Sequence, residues 1–242
     1  MKTLQQILLA SSFALMPFCL HAQENHRWSL ENEGHIRWIP QKKEAHQDHI
    51  EMSGKTVSVV LRYGVKNGKF TLNKSMVWPQ LRIIPNDTYG SLMRRYGWDV
   101  LDMININGRS LASEQVESIE LKGILKVVSN YDEGRRGQWK IIREYFPSTE
   151  QPALLESYQI INTGTKELVI ELPQINQKSF TDPQKGVTGS FCIETNINKS
   201  GYFTLQAGES LTFGATLLAY KEGESAPRID VLKEKALRQD LV

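Results

Sequence analysis

Thr56-Val57-Ser58-Val59-Val60-Leu61-Arg62-Tyr63-Gly64-Val65-Lys66, then Asn67-Gly68, then Lys69-Phe70-Thr71-Leu72-Asn73-Lys74-Ser75-Met76-Val77-Trp78, is the stretch that decides the fold. Side chains of an extended chain point alternately to its two faces. Val57, Val59, Leu61, Tyr63 and Val65 therefore share one face, and Ser58, Arg62 and Gly64 share the other. Asn67-Gly68 is a strong hairpin signal, because both central residues of a type I′ turn need positive φ. The return strand carries Phe70, Leu72, Met76 and Trp78 on one face, and Pro79 and Pro85 then bracket an edge or loop.

The same period recurs along the chain. Ile119, Leu121, Leu125 and Val127 read as one strand, and Trp139, Ile141 and Tyr145 as another. Ile160-Ile161-Asn162 leads into a turn at Thr163-Gly164, followed by Leu168, Ile170 and Leu172. Phe191, Ile193 and Ile197 form a further strand, and Leu211, Phe213, Ala215, Leu217 and Ala219 follow a turn at Ala207-Gly208. About twelve to sixteen strands with half-polar faces predict an all-β chain. The expected architecture is a large two-sheet antiparallel β-sandwich over residues 23–221, with a C-terminal linker helix. Upstream, Trp28 to Trp38 reads as a short hairpin around Asn32-Glu33-Gly34, and Gln41 to Glu51 as a polar stretch rich in His.

The end of the chain changes character. Glu222 to Pro227 reads as a polar linker, with Ser225 as a helix cap and Pro227 in the first turn. Ile229, Leu232, Ala236, Leu237 and Leu241 then recur at helical spacing. Such an apolar stripe needs a partner to cover it. Residues 222–242 are thus expected to lead into a helical domain missing from this sequence.

At the other end, residues 1–22 read as a secretory signal peptide. Lys2 supplies the basic n-region, Ile7 to Leu15 the apolar h-region, and Leu20-His21-Ala22 approximates a cleavage site. A lipidated Cys19 is disfavoured by the bulky Met16-Pro17-Phe18 before it. Cleavage would leave Cys192 alone, so no internal disulfide could form. Without Lys2 the chain carries 28 basic and 27 acidic residues, a balance that gives no reason to expect nucleic acid or an anionic membrane as partner. The expected location is outside the cell or in the periplasm.

Several runs resemble a known family. Arg143-Glu144-Tyr145-Phe146-Pro147-Ser148, Pro152-Ala153-Leu154-Leu155-Glu156 and Asn162-Thr163-Gly164 are similar to the N-terminal supersandwich domains of six-hairpin glycosidases. His46-x-Asp48-His49-Ile50-Glu51-Met52-Ser53-Gly54 and Val77-Trp78-Pro79-x-Leu81-Arg82-x-x-Pro85-Asn86-Asp87-Thr88 resemble a secreted Gram-negative branch of that group. Ala207-Gly208-Glu209-Ser210-Leu211 also fits. The resemblance implies a supersandwich that packs, through a linker helix, on an (α/α)6 barrel carrying the catalytic carboxylates. This sequence has no counterpart of that barrel, so no catalytic residue is carried over. The implied role is non-catalytic: packing on the barrel and helping to shape its glycan cleft. A free-standing carbohydrate-binding sandwich is the alternative.

Candidate chemistry is sparse. His46, Asp48, His49 and Glu51 have the donor types of a metal site. On a strand, however, His46 and Asp48 face away from His49 and Glu51, so an ion would need further ligands such as His26 or His35. The rival readings are a polar strand-entry segment and a wall of a glycan cleft, and a small metal-dependent enzyme is the third functional alternative. Tyr89 and Trp98, with Arg82 and Arg94, are the candidates for stacking on a sugar and bonding its hydroxyls, whereas Trp78 and Trp139 lie in phase with core positions. Asp99 and Asp102 read as solvated or turn-forming. A glycosidase needs two carboxylates about 5 Å or 6.5–9.5 Å apart, and no spacing here singles out such a pair. With no nucleophile elbow, P-loop or dinucleotide fingerprint, no cofactor is expected.

Overall fold

A computed structural model describes residues 27–84 and 90–241 of the chain. The expected signal peptide, residues 1–22 with Cys19, lies outside the described residues, as do His26 and the run from Pro85 to Tyr89.

The strands are β1 (Trp28–Leu30), β2 (Ile36–Trp38), β3 (Ala45–Ser53), β4 (Ser58–Lys66), β5 (Lys69–Ile83) and β6 (Gly90–Tyr96). Next come β7 (Asn105–Ile106), β8 (Arg109–Ser110), β9 (Glu114–Leu121), β10 (Leu125–Asp132), β11 (Gln138–Pro147) and β12 (Ala153–Asn162). The series closes with β13 (Leu168–Leu172), β14 (Asn176–Phe180), β15 (Phe191–Ile197), β16 (Gly201–Leu205) and β17 (Ser210–Lys221), followed by helix α1 (Val231–Gln239).

The strands form an all-β, sandwich-like fold. One sheet has nine strands in the order β1-β2-β9-β10-β11-β12-β17-β15-β14. The remaining strands form two four-stranded sheets, β3-β4-β5-β6 and β16-β13-β7-β8. Three sheets thus stand where the alternation predicted two. The break falls after Tyr96, where the chain leaves β6 for a 3-10 turn, Val100–Met103, before β7. A single core cluster joins residues of all three sheets, among them Leu61, Trp78, Ile106, Ile141, Ile170 and Phe213.

The hairpin β4–β5 forms as its sequence predicts, with Asn67 and Gly68 at φ +53° and +80°. Its turn also reaches the nine-stranded sheet. The Gly68 carbonyl accepts from the Val116 amide at 2.8 Å, and a Cβ at Gly68 would lie 2.6 Å from the Gln115 side-chain oxygen. The site therefore needs glycine both for its positive φ and for the close approach.

Three readings need correction. The polar stretch from Gln41 contains a nine-residue strand, β3, which pairs with β4 from Ala45↔Lys66 to Ser53↔Ser58. Ile119 to Val127 is a hairpin of two strands, β9 and β10, because the chain turns back between Leu121 and Leu125. Ser225 does not cap the C-terminal helix, and Pro227 is not in its first turn. The helix begins at Val231, and the Asp230 carboxylate accepts from the Leu232 and Lys233 amides.

Helix α1 lies on the outer face of the nine-stranded sheet. It buries one residue, Val231, in a small cluster with Ile124, Phe146, Ala153, Leu155 and Leu218. Polar straps do the rest. Lys235 pairs with Glu144 at 2.6 Å, Ser148 donates to Glu234 at 2.6 Å, and Arg238 donates to the carbonyls of Gly123 and Ser53. Leu232, Leu237 and Leu241 remain 58%, 43% and 65% exposed.

Candidate functional site

Burying charge between two apolar sheets is costly unless the charges are paired and hydrogen-bonded. The centre of this protein holds such a group. Lys74 on β5 and Glu156 on β12 are both 0% exposed, and the Lys74 ammonium donates to Glu156 Oε1 at 2.7 Å. The ammonium also sits 4.8 Å from the centre of the Trp98 ring. The pair fastens one four-stranded sheet to the inner face of the nine-stranded sheet.

The network continues through Asp99, which caps the 3-10 turn. Its side chain accepts from the Leu101 amide, while Asp102 accepts from the Asp99 amide, so the two form a capping box. Asp99 also accepts from the hydroxyls of Tyr145 at 2.7 Å and Tyr158 at 2.9 Å. Arg143 lies 3.6 Å from Asp99 and donates to Tyr131 at 2.8 Å and to Glu114. Glu114 accepts further bonds from Ser129 at 2.7 Å and from the Phe70 amide at 3.1 Å.

Protonation follows from this geometry. Burial would raise the Asp99 pKa, but the charges of Arg143 and Lys74 and the bonds from Tyr145 and Leu101 outweigh it and hold the carboxyl below its ordinary value. Glu156 goes the other way, because burial and the Asp99 charge exceed what Lys74 supplies. Burial likewise pushes Tyr145 and Tyr158 well up, so both stay neutral. The Tyr158 hydroxyl has one proton but lies within hydrogen-bond distance of two carboxyls, Asp99 and Glu156 at 2.6 Å. The arrangement that satisfies every atom has neutral Glu156 donating to the Tyr158 oxygen and Tyr158 donating to Asp99. The charges then balance: Lys74 and Arg143 against Asp99 and Glu114.

A cavity of about 430 Å³ opens beside this network. The start of β5, the 3-10 turn, the end of β8 and strands β9, β10 and β11 all contribute to its wall, so it lies where the three sheets meet. Asp99, Asp102, Glu114, Tyr131 and Arg143 form the polar wall, Phe70, Leu72, Leu101 and Leu111 the apolar one. Lys69, Ser110 and Ala112 are exposed at the rim. Arg143 Nε, buried, has no hydrogen-bond partner among the described residues.

The residues singled out by sequence do not converge here. His46 and Asp48 face one way on β3 and are half-buried, while His49 and Glu51 are exposed on the other face. The His46 ring packs edge-on against Trp38 at 5.5 Å, and Asp48 accepts from the Trp28 indole at 3.4 Å and the His49 amide at 2.8 Å. Among the described residues no group of three or more His, Cys, Asp or Glu could hold a metal ion. Arg82 is exposed and donates to Ser91 at 3.2 Å, and Arg94 lies 5.9 Å from the Tyr96 ring on the edge strand β6. Trp98 is half-buried, with Lys74 over its ring and Tyr96 edge-on at 5.9 Å. Tyr89 lies outside the described residues. Trp78 and Trp139 are buried in the core. Asp99 and Asp102 do form a turn, but only Asp102 is solvated, because Asp99 is drawn in by two tyrosines and an arginine.

Lys74, Arg143 and Glu156 left a trace in the sequence. Each occupies an inward position among apolar neighbours: Lys74 between Leu72 and Met76, Arg143 between Ile141 and Tyr145, Glu156 between Leu154 and Tyr158. One charged residue on each of three strands, in phase with the core, is the signal of a buried network.

The fold defines the class, an all-β, sandwich-like protein with one C-terminal helix. No family model, curated protein or solved structure matches the chain. No helix among the described residues is long and apolar enough to cross a membrane.

Proposed function

We propose that the chain is a non-catalytic β-sandwich module of a secreted, glycan-active protein, packing on a helical barrel and walling part of its glycan cleft. The observation that carries this reading is the outward face of α1. A helix fastened to the sheet mainly by polar straps, with three leucines turned to solvent, has the surface of a second-domain contact. The barrel partner and the glycan ligand rest on the runs resembling six-hairpin glycosidases.

Sedimentation of the purified chain tests it. The expected result is concentration-dependent self-association, lost when Leu232, Leu237 and Leu241 are all changed to Gln and the melting temperature holds. A wild-type chain that is monomeric and binds no hydrophobic dye would overturn the packing role.

The second reading, a free-standing glycan-binding module, is favoured by the preformed cavity at the junction of the three sheets. The metal-dependent enzyme draws no support from β3, whose His46 and Asp48 are engaged with Trp38 and Trp28.

A further inference from the structure

We infer that the cavity at the sheet junction holds one neutral pyranose unit, an inference that rests on the glycan reading above and names its site. Size comes first. Small-molecule sites run from about 300 to 1,000 Å³, and a cavity of about 430 Å³ lies at the small end, suited to one sugar ring and part of its neighbour.

The wall chemistry comes next. A pyranose presents hydroxyls that both donate and accept around its edge and apolar C–H groups on its faces. The cavity offers both kinds of surface. Asp102 bonds the Asp99 amide through one oxygen and keeps the other without a hydrogen bond among the described residues. Lys69 and Ser110 add a donor and a hydroxyl at the rim, while Leu72, Leu101 and Leu111 form an apolar flank.

Charge then decides among sugars. The wall sets the carboxylates of Asp99, Asp102 and Glu114 beside Lys69 and Arg143, with the buried Lys74 acting on Asp99 from behind. A uronate, sulfate or phosphate would lie against three carboxylates, and the guanidinium that could receive it is already committed to Glu114 and Asp99. A neutral ring meets no such penalty. The site is also rigid before any ligand arrives, since Asp99, Glu114 and Arg143 are held by the core network.

Saturation-transfer NMR on the whole chain provides the test, with methyl glucopyranoside, galactopyranoside and mannopyranoside as neutral probes and methyl glucuronide as the anionic one. At least one neutral glycoside should show transfer and the glucuronide none. Ala112→Trp and Ser110→Phe, both at exposed rim positions, should weaken binding by about tenfold or more while the melting temperature holds. Absence of transfer from every neutral probe at millimolar concentration overturns the inference. So does transfer that survives whichever rim variant folds, or a glucuronide bound as well as the neutral rings. None of these results bears on self-association through α1. An empty cavity therefore leaves the packing role standing, and a monomeric chain that binds a pyranoside sinks the packing role alone.

Discussion

The inner face of the nine-stranded sheet buries Arg143, Glu156 and Ser129 among tyrosines, whereas its outer face carries α1 on one apolar residue and a set of polar straps. The inner face uses charge where water is excluded, so every partner must be present. The outer face uses charge where water can substitute, so a lost strap costs little. The same sheet thus has one side that fixes the arrangement of the layers and another that holds a helix in place while leaving its far side open.

Perturbations should separate the two faces, beginning with the largest. Arg143→Met removes the cation between Asp99 and Glu114 and is expected to cost about 3–5 kcal/mol in urea unfolding at neutral pH. A loss as small as that of an exposed strap would erase the distinction between the faces.

Asp99→Asn follows, at about 1.5–3 kcal/mol, because three donors and a guanidinium address an ionised acceptor. Its pH dependence has a definite sign. The folded pKa lies below the ordinary 3.8, so the stabilisation is present above that value and lost as pH falls through the folded pKa. The gap between wild type and Asp99→Asn should therefore close in acid.

On the outer face, Val231→Ala deletes two buried methyl groups and should cost about 1.5 kcal/mol, measured the same way. Glu156→Gln sharpens the protonation assignment. If Glu156 is neutral in the folded protein, an amide of the same shape costs less than about 1.5 kcal/mol. Because the folded pKa is raised, the wild type also loses stability as pH rises from the ordinary 4.5 towards the folded value. Glu156→Gln should remove that slope, and a slope that persists would assign it to another group. Smallest of all, Leu237→Gln should stay within about 0.5 kcal/mol.

What the sequence disclosed follows from how local each feature is. The β4–β5 hairpin was legible because its alternation and its Asn67-Gly68 turn lie within one short run. Strand β3 was not, because Ala45, Gln47, His49 and Glu51 point to solvent and only Ile50 and Met52 announce a core. The helix cap was misplaced because Ser225 and Pro227 are plausible starts, and only the extended path through Ile229 hands the role to Asp230. The cavity gathers Lys69, Glu114 and Arg143 from strands, and Asp99 from a 3-10 turn, far apart in the chain, and contacts at that range are set by the sheet order rather than by any local period. The interruptions at Lys74, Arg143 and Glu156 mark which strands meet, though not how they meet.

Strand β17 is the last of the described strands in sequence, yet it pairs with β12 on one side, from Ala153↔Leu218, and with β15 on the other, from Phe191↔Lys221. A ribosome making this chain therefore releases both neighbours, β12 long before and β15 shortly before, ahead of the strand that belongs between them. Until residues 210–221 emerge, two rows of backbone donors and acceptors stand open, one of them along the apolar run Ala153-Leu154-Leu155. The nascent chain must wait with a gap two strands from one edge of its largest sheet, and that interval is when a chaperone would matter most to it.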